Sequence, residues 1–199
     1  PERKSHMLTE KEKEIAAYHE AGHALVAASS KHTDPVHKIS IVSRGRAAGY
    51  TLKLPSGDRH LFSRSHFLDE LAVFLGGYAA EIEVFNEITT GAADDLKKAS
   101  ELASDLVTRY GMSEKLGPAV FGGEQELVFL GKELGTAKNY SEETARIIDQ
   151  EVRNFIDNAL KRARDLIVKK RKKLETIAKM LIEKETIERD EFEALMRAA

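Results

Sequence analysis

A chain of 199 residues is long enough for one domain with a sizeable core, or for one domain with an appendage. Charge is nearly balanced, 31 Lys and Arg against 33 Asp and Glu for a net −2, which argues against a dedicated nucleic-acid binder. Cysteine is absent, so disulfides and thiolate metal ligands are excluded and a reducing compartment is expected. The longest uncharged stretches, such as 71–80, are roughly half of the ~20 residues a membrane span needs, and no signal peptide is visible. A soluble chain is expected.

Residues 1–7 are polar and read as a linker. Thr9 followed by Glu12 has the spacing of a capping box and predicts a helix start. Within that helix, His19-Glu20-Ala21-Gly22-His23 fits H-E-x-x-H, in which two imidazoles one turn apart hold zinc and the glutamate acts on its bound water. Positions i and i+4 share a face, so both rings can reach one metal. Ile15, Gly22 and Val26 lie on the same stripe, which predicts that both histidines point inward. Ser29-Ser30 and Asp34-Pro35 end the helix.

The one β signal follows. Residues 36–42 are rich in β-branched side chains, and Tyr50, Leu52 and Leu54 alternate with Thr51 and Lys53. The glycine-bearing stretch 43–49 suits a hairpin or wider turn, and Pro55 closes the second strand. Residues 67–85 are apolar on nearly every side and predict one central buried helix. A loop through Thr89, Thr90 and Gly91 leads to a helix over 93–110 with Gly111 as its stop. Residues 112–139 read as loop with a short hairpin. Ser141 then caps an amphipathic helix, the basic run 169–173 precedes another, and Thr186 begins a short terminal helix. The expected fold is mainly α, a single domain over 8–199 with a catalytic core at 8–139, a small sheet near 36–55 and C-terminal helices over 140–199.

Catalytic zinc keeps three protein ligands and one open position, and His19 and His23 supply two. A third histidine six residues on is excluded, because Val26 and Ser29 stand in the glycine and histidine places. The remaining candidates are Asp34, His37, Glu81, Asp94 and Asp95. Asp95 shares its helical face with Ala99, Leu102, Leu106 and Tyr110, whereas Asp94 shares the solvent face with Lys98, Glu101 and Asp105. A carboxylate aimed at a core needs a partner or a metal. Two readings account for Asp95: a zinc ligand, or an acidic residue favoured at its helix N-terminus. Glu81, on a helix buried on most sides, is either a ligand or the acceptor for a ligating imidazole N–H. His37 and Asp34 read as strand and turn residues, and His6, His32, His60 and His66 lie in stretches that read as exposed. Gly22 and Ala21 are expected to keep the helix slim and leave room for substrate. Gly49, Tyr50, Thr51 and Leu52 form a candidate edge strand beside the metal, able to pair with an extended peptide; an ordinary edge strand is the alternative.

Five segments together resemble one family: 17–26 (AYHEAGHALV), 34–41 (DPVHKISI), 75–81 (LGGYAAE), 89–96 (TTGAADDL) and 110–118 (YGMSEKLGP). They resemble the peptidase domain of FtsH, the membrane-anchored ATP-dependent AAA zinc metalloprotease, from about residue 7 to the C-terminus. The resemblance implies one Zn2+ per chain, with the family's zinc-binding aspartate falling on Asp95 and Glu20 as catalytic base. It implies a zinc endopeptidase acting on unfolded or membrane proteins, a homo-hexamer, and a parent protein on the cytoplasmic face of a membrane. ATP would be used only by an ATPase module for which this chain has no G-x-x-x-x-G-K-[ST] loop, and membrane contact would come through other segments. Residues 1–7 resemble the junction with that module. The chain departs from the family at Asp94, usually asparagine, and at Tyr78, usually arginine. Two rival readings are a self-sufficient zinc peptidase of small peptides, and a helical interaction or nucleic-acid module with a chance H-E-x-x-H and 169–173 as its patch. No nucleic-acid partner is expected, because the run reads as the solvated side of a helix.

Overall fold

A computed structural model describes residues 9–42, 49–54, 57, 60–122 and 140–198. The expected linker 1–7, the turn 43–48, Pro55 and the loop beyond Gly122 lie outside the described residues. Helix α1 (Glu10–Ala28) opens with the predicted capping box: Thr9 Oγ1 accepts from Glu12 N, and the Glu12 carboxylate accepts from Thr9 N. From Ala16 to Ala27 all its residues but one are buried, so this helix runs through the middle of the molecule. It packs mainly against α3 (Gly76–Phe85) and α6 (Arg171–Lys184).

The sheet has three strands in the order β2-β1-β3, where β1 is Val36–Ser40, β2 is Tyr50–Lys53 and β3 is Thr186–Glu188. Both pairings are antiparallel, and the β1–β2 register shifts at His37. The hairpin agrees with the reading from alternation. The third strand does not, because Thr186 begins β3 and the terminal helix α7 (Arg189–Arg197) starts only after it. Three residues are too few to show a period of two, so this strand exists through its pairing with β1 and the burial of Ile187. Among the described residues, strand β2 is left at the edge.

The expected single helix over 67–85 is two. Helix α2 (Arg64–Phe74) ends at Leu75, whose ψ of 0° breaks the helical run, and α3 restarts at Gly76. The two glycines at the break are poor helix formers, and they serve packing. A Cβ on Gly22 would lie 2.4 Å from Gly76 O and 2.7 Å from Ala80 Cβ, so the α1 and α3 backbones touch there. Gly22 therefore admits a neighbouring helix, which corrects the expectation that it makes room for substrate. Helix α4 (Ala93–Thr108), preceded by a 3-10 turn at Thr90–Ala92, crosses α2 and α5 (Glu142–Lys169). It ends before the expected Tyr110.

His66, read as exposed, is buried; its Nδ1 donates to His32 O at 2.7 Å. Beside it Asp69, 2% exposed, accepts from the His32 backbone N–H at 2.9 Å and pairs with Arg162. Burial alone would raise the Asp69 carboxyl, but these donors hold it below the usual range. The basic run at 169–173 is partly used internally: Lys170 bonds Ser29 Oγ, Arg171 bonds Glu83 O, and Lys173 caps the carbonyls of Leu195 and Met196. Among the described residues no helix is long and apolar enough to cross a membrane.

Candidate metal centre

Helical spacing puts His19 and His23 one above the other on α1, each under a tenth exposed, with ring centroids 4.7 Å apart. Helix α4 brings Asp95 to them across 72 residues from His23. His19 Nε2 and His23 Nε2 are 3.0 Å apart, and each lies 3.2 Å from Asp95 Oδ2. Among the described residues these three are the one group of His, Asp or Glu whose donor atoms converge as a metal site requires. Asp94 is exposed, as its helical face predicted, and Asp34 and His37 lie elsewhere.

The other nitrogen of each ring is already engaged. His23 Nδ1 is 2.7 Å from Val73 O, a group that can only accept, so that nitrogen carries a proton. His19 Nδ1 is 2.7 Å from Glu81 Oε1, also an acceptor. Neutral rings held this way present the Nε2 lone pairs to each other and to a carboxylate. Three lone pairs converging at 3.0–3.2 Å repel unless a cation lies between them. Tetrahedral zinc, with bonds of about 2.0–2.1 Å, separates neighbouring ligands by roughly 3.3–3.4 Å, so the triangle fits one face of its coordination shell. The alternative occupant is a proton. Burial alone would lower the His19 pKa, but Asp95 and Glu81 outweigh it and raise the ring to about 9. Against its own burial, Asp95 is held well below the usual carboxylate range by the two imidazoles.

Glu81, 1% exposed, stands outside the triangle and so serves as acceptor to a ring, the second of its two expected possibilities. Its other oxygen, Oε2, accepts the Thr89 backbone N–H at 2.7 Å. One carboxylate thus ties His19 to the turn that leads into α4 and Asp95. Two contacts had no sequence signal. The Val73 carbonyl comes from the end of α2, and Gly77 is required because a Cβ there would fall 2.4 Å from the His19 ring.

Glu20 is turned about 100° around α1 from its neighbour His19 and is buried at 7% exposure. Thr51 Oγ1 donates to Glu20 Oε2 at 2.8 Å, which places the edge strand against this residue. Of the candidate strand residues, Thr51 contacts Glu20 directly and Gly49 leaves the room that the Glu20 side chain fills. Leu54 N–H donates to Pro35 O in the β1 direction. By alternation Tyr50 and Leu52 turn their backbone groups toward β1, while Thr51 and Lys53 turn theirs to the open edge.

The chain is 55% identical over 195 residues to the ATP-dependent zinc metalloprotease FtsH 1 of Sphaerobacter thermophilus, covering 98% of this chain and 30% of that protein. It is 52% identical to the FtsH 1 of Thermomicrobium roseum, over 98% of this chain and 30% of the relative. With the FtsH of Thermotoga maritima it shares 50% identity over 197 residues, 98% of this chain and 32% of the relative. The chain thus spans about a third of the length of the curated relatives it matches. The model of peptidase family M41 matches residues 6–195, and the chain belongs to that family.

Proposed function

We propose that this chain is a zinc-dependent endopeptidase and the proteolytic part of an ATP-dependent membrane protease. The observation that carries the reading is the triangle of His19 Nε2, His23 Nε2 and Asp95 Oδ2, with both Nδ1 atoms committed elsewhere. His19, His23 and Asp95 would hold the ion. When bound, zinc would polarise the scissile carbonyl and lower the pKa of its water toward ~7. Glu20 accepts the proton of the attacking water on its carboxylate and passes it to the leaving amine nitrogen. Glu81 and the Val73 carbonyl hold the two rings with Nε2 facing the ion.

Substrate enters as an extended chain along β2, pairing with the outward backbone groups of Thr51 and Lys53. Main-chain pairing tolerates many sequences, which suits unfolded or membrane-extracted proteins fed by an ATPase. Assembly as a homo-hexamer, with membrane attachment and ATP use in other parts of the parent protein on the cytoplasmic side, belongs to the same reading; the relatives' names, ATP-dependent zinc metalloproteases, support the ATP use and the zinc. The test compares Glu20→Gln with Asp95→Ala. Glu20→Gln should retain one zinc and lose proteolysis of an unfolded protein; Asp95→Ala should lose zinc with helicity kept. Wild-type cleavage by Glu20→Gln would remove Glu20 from its role.

A further inference from the structure

We infer that Thr51 is the positioning residue for the Glu20 carboxylate, so that the strand which receives substrate also sets the catalytic base. The inference rests on the reading of Glu20 as the base. Glu20 is a long side chain on a helix, with freedom at each side-chain torsion unless something holds its end. Among the described residues the one side chain that donates to its carboxylate is Thr51, whose single hydroxyl proton goes to Oε2 at 2.8 Å; the Glu20 carbonyl lies farther, at 3.4 Å. With Oε2 engaged, Oε1 is the oxygen left to take a proton from water.

The same strand face supplies a wall. Residues 49, 51 and 53 alternate onto one side of β2, where Thr51 meets Glu20 and Lys53 meets Glu70 of α2. At Gly49 a Cβ would lie 2.8 Å from Glu20 Cγ, 2.9 Å from Glu20 Oε1 and 2.7 Å from Ser40 O. The glutamate thus occupies space that only glycine leaves open, and the hydroxyl two residues on fixes its end. Thr51 joins two functions in one residue: its backbone faces the open edge and its side chain faces the base. A peptide pairing with that edge immobilises the residue that orients Glu20.

Thr51→Val keeps the branched shape and the strand while removing the donor. In the full-length, zinc-loaded protein it should lower kcat by about tenfold or more, the loss expected for a hydrogen bond to a charged group, with KM and zinc content unchanged. Thr51→Ser should restore most of the rate. A second readout needs no turnover: calorimetric affinity for a peptide hydroxamate, whose N–H or O–H donates to Glu20, should fall in Thr51→Val. Added to Glu20→Gln, the same substitution should cost nothing further. The inference is overturned if Thr51→Val keeps kcat within about twofold of wild type. It is also overturned if serine fails to rescue, if zinc is lost, or if the hydroxamate penalty persists in the Glu20→Gln background. An active Glu20→Gln would instead defeat the underlying assignment of the base.

Discussion

Replacing Glu81 with Gln tests how the centre is held, because the change keeps the shape and alters one atom. In the native site Oε1 accepts from His19 Nδ1 and Oε2 accepts from Thr89 N–H, both at 2.7 Å and both in a residue only 1% exposed. Glutamine has one acceptor and one donor, so in either orientation an amide NH2 must face another N–H donor at that distance. Leaving a buried donor unsatisfied costs about 1–3 kcal/mol, and a charge-assisted bond is lost as well. If the amide oxygen stays on His19, the penalty falls on the Thr89 turn and the approach of Asp95; if it flips, His19 loses its fixed tautomer. Either way zinc affinity should fall by about 10–100-fold, the usual effect of removing the partner of a ligating imidazole. The assay is competition for zinc with a chromogenic chelator at fixed pH, beside far-UV circular dichroism. Folded Glu81→Gln with wild-type zinc affinity would refute this account. Complete loss of zinc, equal to that of Asp95→Ala, would instead make Glu81 a ligand.

Gly22→Ala would push a methyl group to 2.4 Å from Gly76 O, a backbone atom; overpacking of about 1–3 kcal/mol should lower Tm by several degrees, and an unchanged or raised Tm would show that α1 and α3 part freely. Protons and zinc should compete at His19. In chelator-treated protein the raised folded pKa, about 9 against 6.5, contributes stability in full below pH 6.5 that is lost as pH rises toward 9. Zinc-loaded protein cannot place that proton on the ring, so its Tm should stay flat over the same window while zinc affinity climbs with pH; parallel melting curves would contradict the shared site. Lys53→Pro removes an N–H that faces the open edge without breaking the ladder to β1, so it should raise KM for an unfolded substrate with little effect on kcat. Lys53→Ala, which loses the Glu70 ion pair alone, is the control, and equal KM values in the two variants would argue for an ordinary edge strand.

Local rules carried the sequence a long way. The capping box at Thr9, the inward stripe of α1, the hairpin from alternating residues and the choice of Asp95 over Asp94 all rest on repeats of 3.6 or 2, which a chain displays before it folds. What those repeats could not supply was anything made by two distant segments. The break at Leu75 follows from α1 pressing Gly22 onto Gly76, and β3 is too short to carry a pattern of its own. His66 sits in a stretch that reads as exposed yet is buried, because the turn after α1 meets its ring through the His32 carbonyl. At the centre, the sequence by itself singled out the candidate zinc ligands: two imidazoles one turn apart and an aspartate facing its helix's apolar side. Only the tertiary structure decided how those atoms are aimed. The rings are held by Val73 O and Glu81, and the Glu20 carboxylate accepts from Thr51, partners that lie 50, 62 and 31 residues from the groups they meet. Composition and periodicity describe neighbours along the chain, whereas orientation at a catalytic centre is a property of neighbours in space.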